Sequence, residues 1–587
     1  MNTKHTLIIF SIFITCLSLD VYPQITNRPN VILIMTDDQG YGDLGFTGNH
    51  HVQTPVIDKF ASESVRFNNF YVSPVCAPTR SSLLTGRYSL RTGIRDTYNG
   101  GAIMASNEDT IAEMLKQAGY KTGSFGKWHL GDNYPSRPND QGFDESVIHL
   151  SGGMGQVGDI TTYFKRDSSY YNPILWHNGK KEAYKGYCSD IFTGEAIDFI
   201  EKNHKEPFFC YLAFNAPHTP LQVPDKYYQM YKDIDPESGF ENDDRPFVKM
   251  SEKDKEDARK VYAMVTNIDD NIGKLLQKLD ELNITNNTLV IFMTDNGPQQ
   301  TRYIAGMRGK KGSVYQGGVR VPFYIRYPDL FKGNKDIETT AAHIDILPTL
   351  SQMCNVEQPK ERIIDGKSLV PLIQGEQVTW AKRELFFYWT RRYPELYDNM
   401  AIQNGNYKLV GNTNYDAAVE DFELFNIKND PYEQNNIVLE NADIANDLKK
   451  KLDEIYTELI NSENLLNPPR IIIGSNMENP VILNRNDAGG ERGIWAQEEI
   501  YGKWHVHIAS GLYNFKFKFI KPVAANGEMF LETRTIINRK KNTNDNTDII
   551  EMKKVLLPEM DCDLIPFYSV NGKRIFPFWV EIEKIDQ

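Results

Sequence analysis

The chain has 587 residues, of which 40% are hydrophobic and 12% aromatic, a composition that argues for a globular protein and a length that calls for two or three domains. Its formal net charge is −13, which argues against nucleic acid or an anionic surface as a partner and requires any anion site to be local. The six cysteines (16, 76, 188, 210, 354 and 562) show no metal spacing and are too few for a disulfide framework, so Cys188 and Cys210 are left as either a pair or two buried thiols.

The chain opens with Lys4 and an apolar run from Leu7 to Leu19, which reads as a signal peptide over residues 1–24 and implies export to the periplasm or the medium. Ile14-Thr15 is a poor context for a lipid anchor at Cys16, and no later segment is apolar for long enough to span a bilayer. Strand-length apolar runs follow at "NVILIMT", "KTGSFG", "PFFCYLAFN" and "TLVIFMT", separated by helical patterns such as "EDTIAEMLKQAG" and "DIFTGEAIDFIEKN". A long amphipathic helix is expected from Ser251, which with Asp254 forms a capping-type pair. Buried strands alternating with helices predict an α/β domain over 28–395, with a mostly parallel central sheet covered by helices on both faces. The pattern then changes to a short antiparallel unit plus a helix, a C-terminal α+β subdomain over 396–466. Beyond "NPPR", the alternation in "GLYNFKFKFI" predicts an accessory β-sandwich-like module over 470–587.

Each predicted strand of the first domain ends in a group that can do chemistry. These are Asp37-Asp38, Lys127-Trp128-His129, Ala216-Pro217-His218 and Asp295-Asn296-Gly297. Open α/β sheets bind ligands beyond the carboxyl ends of their strands, so these groups are expected on one rim. Three carboxylates and an amide suit a hard, oxygen-seeking cation, Ca²⁺ before Mg²⁺. Taken singly, each piece also reads as a turn or helix cap, and only their coincidence at four strand ends favours a site. Cys76, between Pro74 and Pro78, falls near the start of a helix, where an anion is stabilised. On these grounds alone it is either a small buried residue or a thiolate nucleophile. Gly153-x-Gly155-x-x-Gly158 matches a dinucleotide fingerprint, but no helix pattern follows it, so a substrate-side loop is expected there. The alternating Phe residues of "NFKFKF" read as the core face of the sandwich.

Cys76-Ala77-Pro78-Thr79-Arg80, followed by Leu84-Thr85-Gly86-Arg87, resembles the signature of the type I sulfatases. The blocks "MTDDQGYGDLG", "GKWHLG", "APHTP", "TDNG" and "GKKGSVYQGGVRVP" match the same family in the same order, and the resemblance covers roughly residues 28 to 465. Position 79 is Thr where the family more often has Ser. The resemblance implies an alkaline-phosphatase-like fold and conversion of Cys76 to formylglycine by a formylglycine-generating enzyme. It implies that Asp37, Asp38, Asp295, Asn296 and the modified Cys76 bind Ca²⁺. Arg80 and Lys127 would hold the hydrated aldehyde and the sulfate, His129 would stand beside the nucleophile, and His218 and Lys311 beside the leaving oxygen. The function implied is hydrolysis of sulfate esters on a carbohydrate, such as ulvan or another algal polysaccharide, carrageenan or an animal glycosaminoglycan. A phosphonate or phosphate monoester hydrolase with the same nucleophile, and a non-catalytic glycan-binding protein, are the alternatives. Residues facing the sugar are expected in 95–101, 149–165 and 298–308, with His149, Arg302 and Arg308 as candidates.

Overall fold

The computed structural model describes residues 28–240, 244–375 and 383–585; the expected signal peptide over 1–24 and Cys16 lie outside them. A ten-stranded sheet organises the first domain, with Asn30–Thr36 near its centre. That strand pairs in parallel with Thr288–Thr294 on one side and Phe208–Ala213 on the other. Lys121–Lys127 and Glu145–His149 continue the parallel run. Antiparallel pairings appear outward of this block, at Phe323–Arg326 on one flank and at Ile174–His177 with Lys180–Ala183 on the other.

The central strands are continuous apolar runs because both of their faces are covered. Every residue of Asn30–Thr36 and of Thr288–Thr294 is buried. Successive side chains point to opposite faces. Val31, Leu33 and Met35 join one core with Leu83 and Leu84 of the helix Cys76–Thr85 and with the helices Ile111–Gln117 and Ile346–Cys354. Ile32 and Ile34 join the other with the helices Cys188–Asn203 and Glu252–Glu281. Each such aliphatic side chain contributes about 1.5–3 kcal/mol on full burial. The 30-residue helix Glu252–Glu281 begins in the expected capping box, in which Ser251 Oγ accepts from the Asp254 N–H and the Asp254 carboxylate accepts from the Ser251 N–H.

A four-stranded antiparallel sheet comes next, in the order Glu384–Tyr388, Met400–Asn404, Tyr407–Gly411, Glu423–Asn426. The helix Ala442–Ile460 packs on it through Ala445, Leu448 and Leu452. Its first strand precedes residue 395, so the sheet begins ahead of the boundary read from the change of pattern. The C-terminal module consists of two facing antiparallel-rich sheets, one built on Gly502–Ile508 and Met560–Val570, the other on Gly511–Val523, Thr547–Leu557 and Trp579–Ile585. Phe515, Phe517 and Phe519 point into the core between them with Trp504, as the alternation requires. Among the described residues Cys188 and Cys210 are separate, buried thiols.

The sandwich is docked against the parallel-sheet domain by buried polar groups. Asp487 Oδ2 accepts from the Asp132 N–H at 3.1 Å, and Asn484 Nδ2 donates to Asp132 Oδ2 at 2.7 Å. Glu478 accepts from the Tyr134 N–H at 2.7 Å, and Ile103 enters the sandwich core. Burial and the mutual repulsion of the two carboxylates push the pKa of Asp132 well up, and burial pushes that of Asp487 up to about 6.

Candidate active site

The four strand ends converge. Beyond Thr36 the chain turns through Asp38, whose φ of 62° is the left-handed conformation, and its N–H donates to Asp295 Oδ1 at 3.1 Å. Beyond Thr294, Asp295 donates its N–H back to the Thr36 carbonyl, so the two acidic loops are tied together. Gly297 admits the loop that carries Lys311. A Cβ at position 297 would lie 1.8 Å from the Gly317 carbonyl oxygen. That loop is pinned on both sides, by Lys311 N–H to the Pro298 carbonyl and Gly312 N–H to the Pro74 carbonyl. Cys76 is the first residue of the helix Cys76–Thr85, which stops at Gly86 with φ 69°.

Asp37, Asp38, Cys76, Arg80, Lys127, His129, His218, Asp295, Asn296 and Lys311 are therefore drawn together by contacts between segments far apart in sequence. Three ion pairs organise the floor. Lys127 Nζ lies 2.6 Å from Asp37 Oδ2 and Arg80 Nη2 2.8 Å from Asp295 Oδ2, all four side chains wholly buried. Lys311 Nζ lies 2.6 Å from Asp38 Oδ1, its side chain 14% exposed. Burial pulls the Asp38 pKa up, but Lys311, His218 and Lys127 outweigh it and hold the carboxylate well below its usual range. Burial, reinforced by Asp37, pushes Asp295 up to about 6. Burial would lower the Lys311 pKa, but Asp38, Cys76 and Asp37 raise it above the ordinary lysine range, so Lys311 is protonated at neutral pH. Burial also pushes the Cys76 thiol up, against the pull of Lys127 and Lys311, which disfavours a free thiolate.

Three oxygens of this floor, Asp37 Oδ1, Asp38 Oδ2 and Asn296 Oδ1, are buried without a hydrogen-bond partner. Buried carboxylate oxygens left bare cost several kcal/mol, roughly 1–3 or more each, unless something meets them. Donor atoms of Asp37, Cys76 and Asp295 lie within 4.8 Å of one another, as do those of Asp37, Asp38 and His218. Oxygen donors of this kind fit a hard divalent cation.

Above the floor is a cavity of about 480 Å³ into which Cys76, His129, His218 and Lys311 open. His129 Nε2 lies 2.7 Å from the Thr97 carbonyl oxygen and Nδ1 3.4 Å from Cys76 Sγ. A carbonyl can only accept, so Nε2 carries the proton and the Nδ1 lone pair faces Cys76. Burial and the neighbouring Lys127 keep the His129 pKa well below the ordinary value, which leaves the ring neutral. His218 is arranged the opposite way, with Nδ1 against the Thr219 carbonyl at 2.7 Å and Nε2 3.7 Å from Asp38 Oδ2. The Gly153–Gly158 run packs here and is followed only by the kinked 3-10 turn Tyr163–Ser168, not by an α-helix. Gly152, beside it, lets the loop meet His129, since a Cβ there would lie 2.7 Å from Cε1 of the ring. Gln156 also lines the cavity.

Three candidates for sugar contact lie elsewhere. Arg302 is wholly buried, with Nε and Nη2 on the Asp43 carboxylate at 2.7 and 2.6 Å and Nη2 on the Asp38 carbonyl at 2.8 Å. It braces the loop that carries Asp37 and Asp38. Arg308 pairs with Glu423 at 2.8 Å and lies over the Tyr315 ring, joining the first domain to the antiparallel sheet. His149 is buried with Nδ1 against the Leu150 carbonyl at 2.9 Å, and burial lowers its pKa to about 3. The segments 95–101, 149–165 and 298–308 reach the cavity through other residues, Thr97, Tyr98, Gly152, Gln156 and Gln299. Trp389, Arg391 and Trp495, which line it too, carry no local signal, because they come from loops of the four-stranded antiparallel sheet and of the sandwich.

Two family models match the chain, sulfatase over residues 29–356 and the C-terminal region of N-sulphoglucosamine sulphohydrolase over residues 309–458. An ulvan-active sulfatase of Formosa agariphila is 32% identical over 455 residues, 74% of this chain and 82% of the relative. An N-acetylglucosamine-6-O-sulfatase of Bacteroides thetaiotaomicron is 29% identical over 498 residues, 70% of this chain and 83% of the relative. Among solved structures, Ps i-CgsB in complex with k-i-k-neocarrahexaose superposes with a TM-score of 0.64 at 29% identity, covering 74% of this chain and 94% of that one. With the family match spanning more than half of its length, the chain belongs to the type I sulfatases of the alkaline phosphatase superfamily and is a sulfuric ester hydrolase.

Proposed function

We propose that the protein is an exported sulfatase that removes sulfate esters from a carbohydrate, using a formylglycine made from Cys76 and a Ca²⁺ ion held by Asp37, Asp38, Asp295, Asn296 and the modified Cys76. The observation that carries the reading is Cys76 itself. It stands at the base of the cavity, 3.4 Å from the unprotonated Nδ1 of His129 and beside three bare buried oxygens. The relatives named above support a glycan substrate: one acts on ulvan, another on N-acetylglucosamine 6-O-sulfate, and a third binds a carrageenan oligosaccharide.

A hydrated formylglycine supplies two hydroxyls, one to attack sulfur and one to expel sulfate, and a divalent cation offsets the negative charge of ester and nucleophile. The side chains of this chain set the rest. His129 Nδ1 accepts the hydroxyl proton at position 76, and the Thr97 carbonyl steadies the resulting imidazolium through Nε2–H. Lys127 and Arg80 pair with Asp37 and Asp295 beneath that position. Lys311 arrives protonated and faces the cavity, so its ammonium offsets the charge that develops on the departing alcohol oxygen and can donate a hydrogen bond to it. Burial lowers the His218 pKa to about 3, which casts it as a neutral hydrogen-bonding partner of the ester.

The test is release of free sulfate from ulvan, carrageenan and glycosaminoglycan oligosaccharides by protein co-expressed with a formylglycine-generating enzyme. Release from one glycan, lost at least about a thousandfold in Cys76→Ala, with an aldehyde at position 76 by peptide mass, is the expected result. Release of phosphate from a phosphate or phosphonate ester in preference to sulfate from every sugar would overturn the reading.

A further inference from the structure

The C-terminal sandwich reaches the catalytic cavity. Trp495, with Gly493 and Ala496 beside it, lines it together with Trp389 and Arg391. Gly493 has a φ of 102°, a conformation that side-chain-bearing residues rarely adopt, and it turns the chain immediately ahead of Trp495. The Trp495 and Tyr98 rings are 5.5 Å apart and inclined at 46°. Trp389 is fixed by its Nε1, which donates to Asp96 Oδ1 at 3.2 Å. Arg391 lies over the rings of Trp389 and Tyr98, at 4.8 and 4.9 Å from their centres. Its Nη1 donates to Asp96 at 3.3 Å and to Thr97 at 2.8 Å, and its side chain is 41% exposed.

The floor of this cavity is made of charged and histidine side chains, whereas its mouth gathers three large aromatic rings and a guanidinium. They come from segments about 290 and 100 residues apart: Tyr98 from the loop ahead of the helix Ile111–Gln117, Trp389 from the end of the strand Glu384–Tyr388, and Trp495 from the loop ahead of the strand Gly502–Ile508, so no single secondary-structure element requires them to meet. A pyranose ring has apolar C–H faces edged by hydroxyls. Aromatic rings with a few fixed polar groups are the lining that such a ligand calls for. Docking of the sandwich through Asp132, Asp487, Asn484 and Glu478 holds the Trp495 segment in register with the nucleophile.

We propose that the accessory sandwich is part of the active site. Trp495, with Tyr98 and Trp389, holds the sugar ring that presents its sulfate to position 76, and Arg391 donates to the oxygen substituents of that ring. The module thus selects the sugar. This inference rests on the carbohydrate reading above.

The experiment uses the full, matured chain and the oligosaccharide it desulfates best. Trp495→Ala should lower kcat/KM at least tenfold, chiefly through KM, while Trp495→Phe recovers most of the loss. A second measurement does not depend on turnover. Titrating that oligosaccharide into Cys76→Ala protein should change indole fluorescence, and Trp495→Phe in the same background should remove a large part of the change. If Trp495→Ala melts like the parent and keeps kcat/KM within twofold, or if Trp495→Phe leaves the fluorescence change intact, the inference fails and the sulfatase reading stands. A parent enzyme that desulfates no saccharide would overturn both.

Discussion

The floor and the mouth of the active-site cavity are built on opposite principles. The floor is built at the end of one sheet, to which the helix Cys76–Thr85 adds Cys76 and Arg80. Its acidic groups sit at the ends of Asn30–Thr36 and Thr288–Thr294, neighbouring strands in register, and its cations are buried against them. Loops from three separate regions of the chain make the mouth, and its aromatic rings are half-buried. Displacing a floor group by an ångström would strand a buried charge, so this region tolerates little change. Loops at the mouth can be exchanged without disturbing a strand, which is how one chemistry is adapted to different sugars.

Substitutions of charged side chains should show that contrast as a descending series. Lys127→Met removes the partner of a wholly buried carboxylate and should cost about 3–5 kcal/mol of unfolding free energy in urea, along with activity. A loss under 1 kcal/mol would mean that the floor is wetter or more adaptable than its burial indicates.

The interface between the domains should respond to pH instead. Asp487, raised to about 6 by burial, binds a proton in the folded protein over a range where the unfolded chain has released it. Protons bound in excess by the folded state make stability fall as pH rises, here from about 4 to about 6. Asp487→Asn should flatten the fall in urea midpoint across that window relative to the parent. An unchanged slope would show that the pair with Asp132 does not titrate there.

Arg308→Ala should have the smallest effect. Its pair with Glu423 is more than a quarter exposed on both sides, and such pairs contribute about 0–1 kcal/mol. Sulfate release should stay within about twofold of the parent, since Arg308 does not line the cavity; a large loss would return it to the list of substrate contacts.

Much of the floor was legible in one dimension, because a buried parallel strand must be a continuous apolar run and the residue that follows it must emerge on the ligand side. Asp37 and Asp295, which directly follow Thr36 and Thr294, are placed by that rule, while His129 and His218 lie a few residues further on, in the loops after Lys127 and Ala213. Arg302 sits in a loop beside the site, but Asp43, too distant in sequence to be paired with it by pattern, holds the Nε–Nη2 edge of its guanidinium. Arg308 and His149 fail likewise, one to a carboxylate of the antiparallel sheet and the other to burial. The sandwich core was read correctly from the alternation of Phe515, Phe517 and Phe519, yet its position over the cleft left no local trace.

What the amino-acid sequence determined by itself is therefore what depends on near neighbours: strand runs, the capped long helix, the alternating sandwich strands and the order of chemical groups at strand ends. Tertiary structure alone decided which charges neutralise one another, which ring nitrogen of His129 carries the proton, and that Trp495 lines the same cavity as Trp389. These depend on distances between residues hundreds of positions apart, and such distances are set by how the sheets pack.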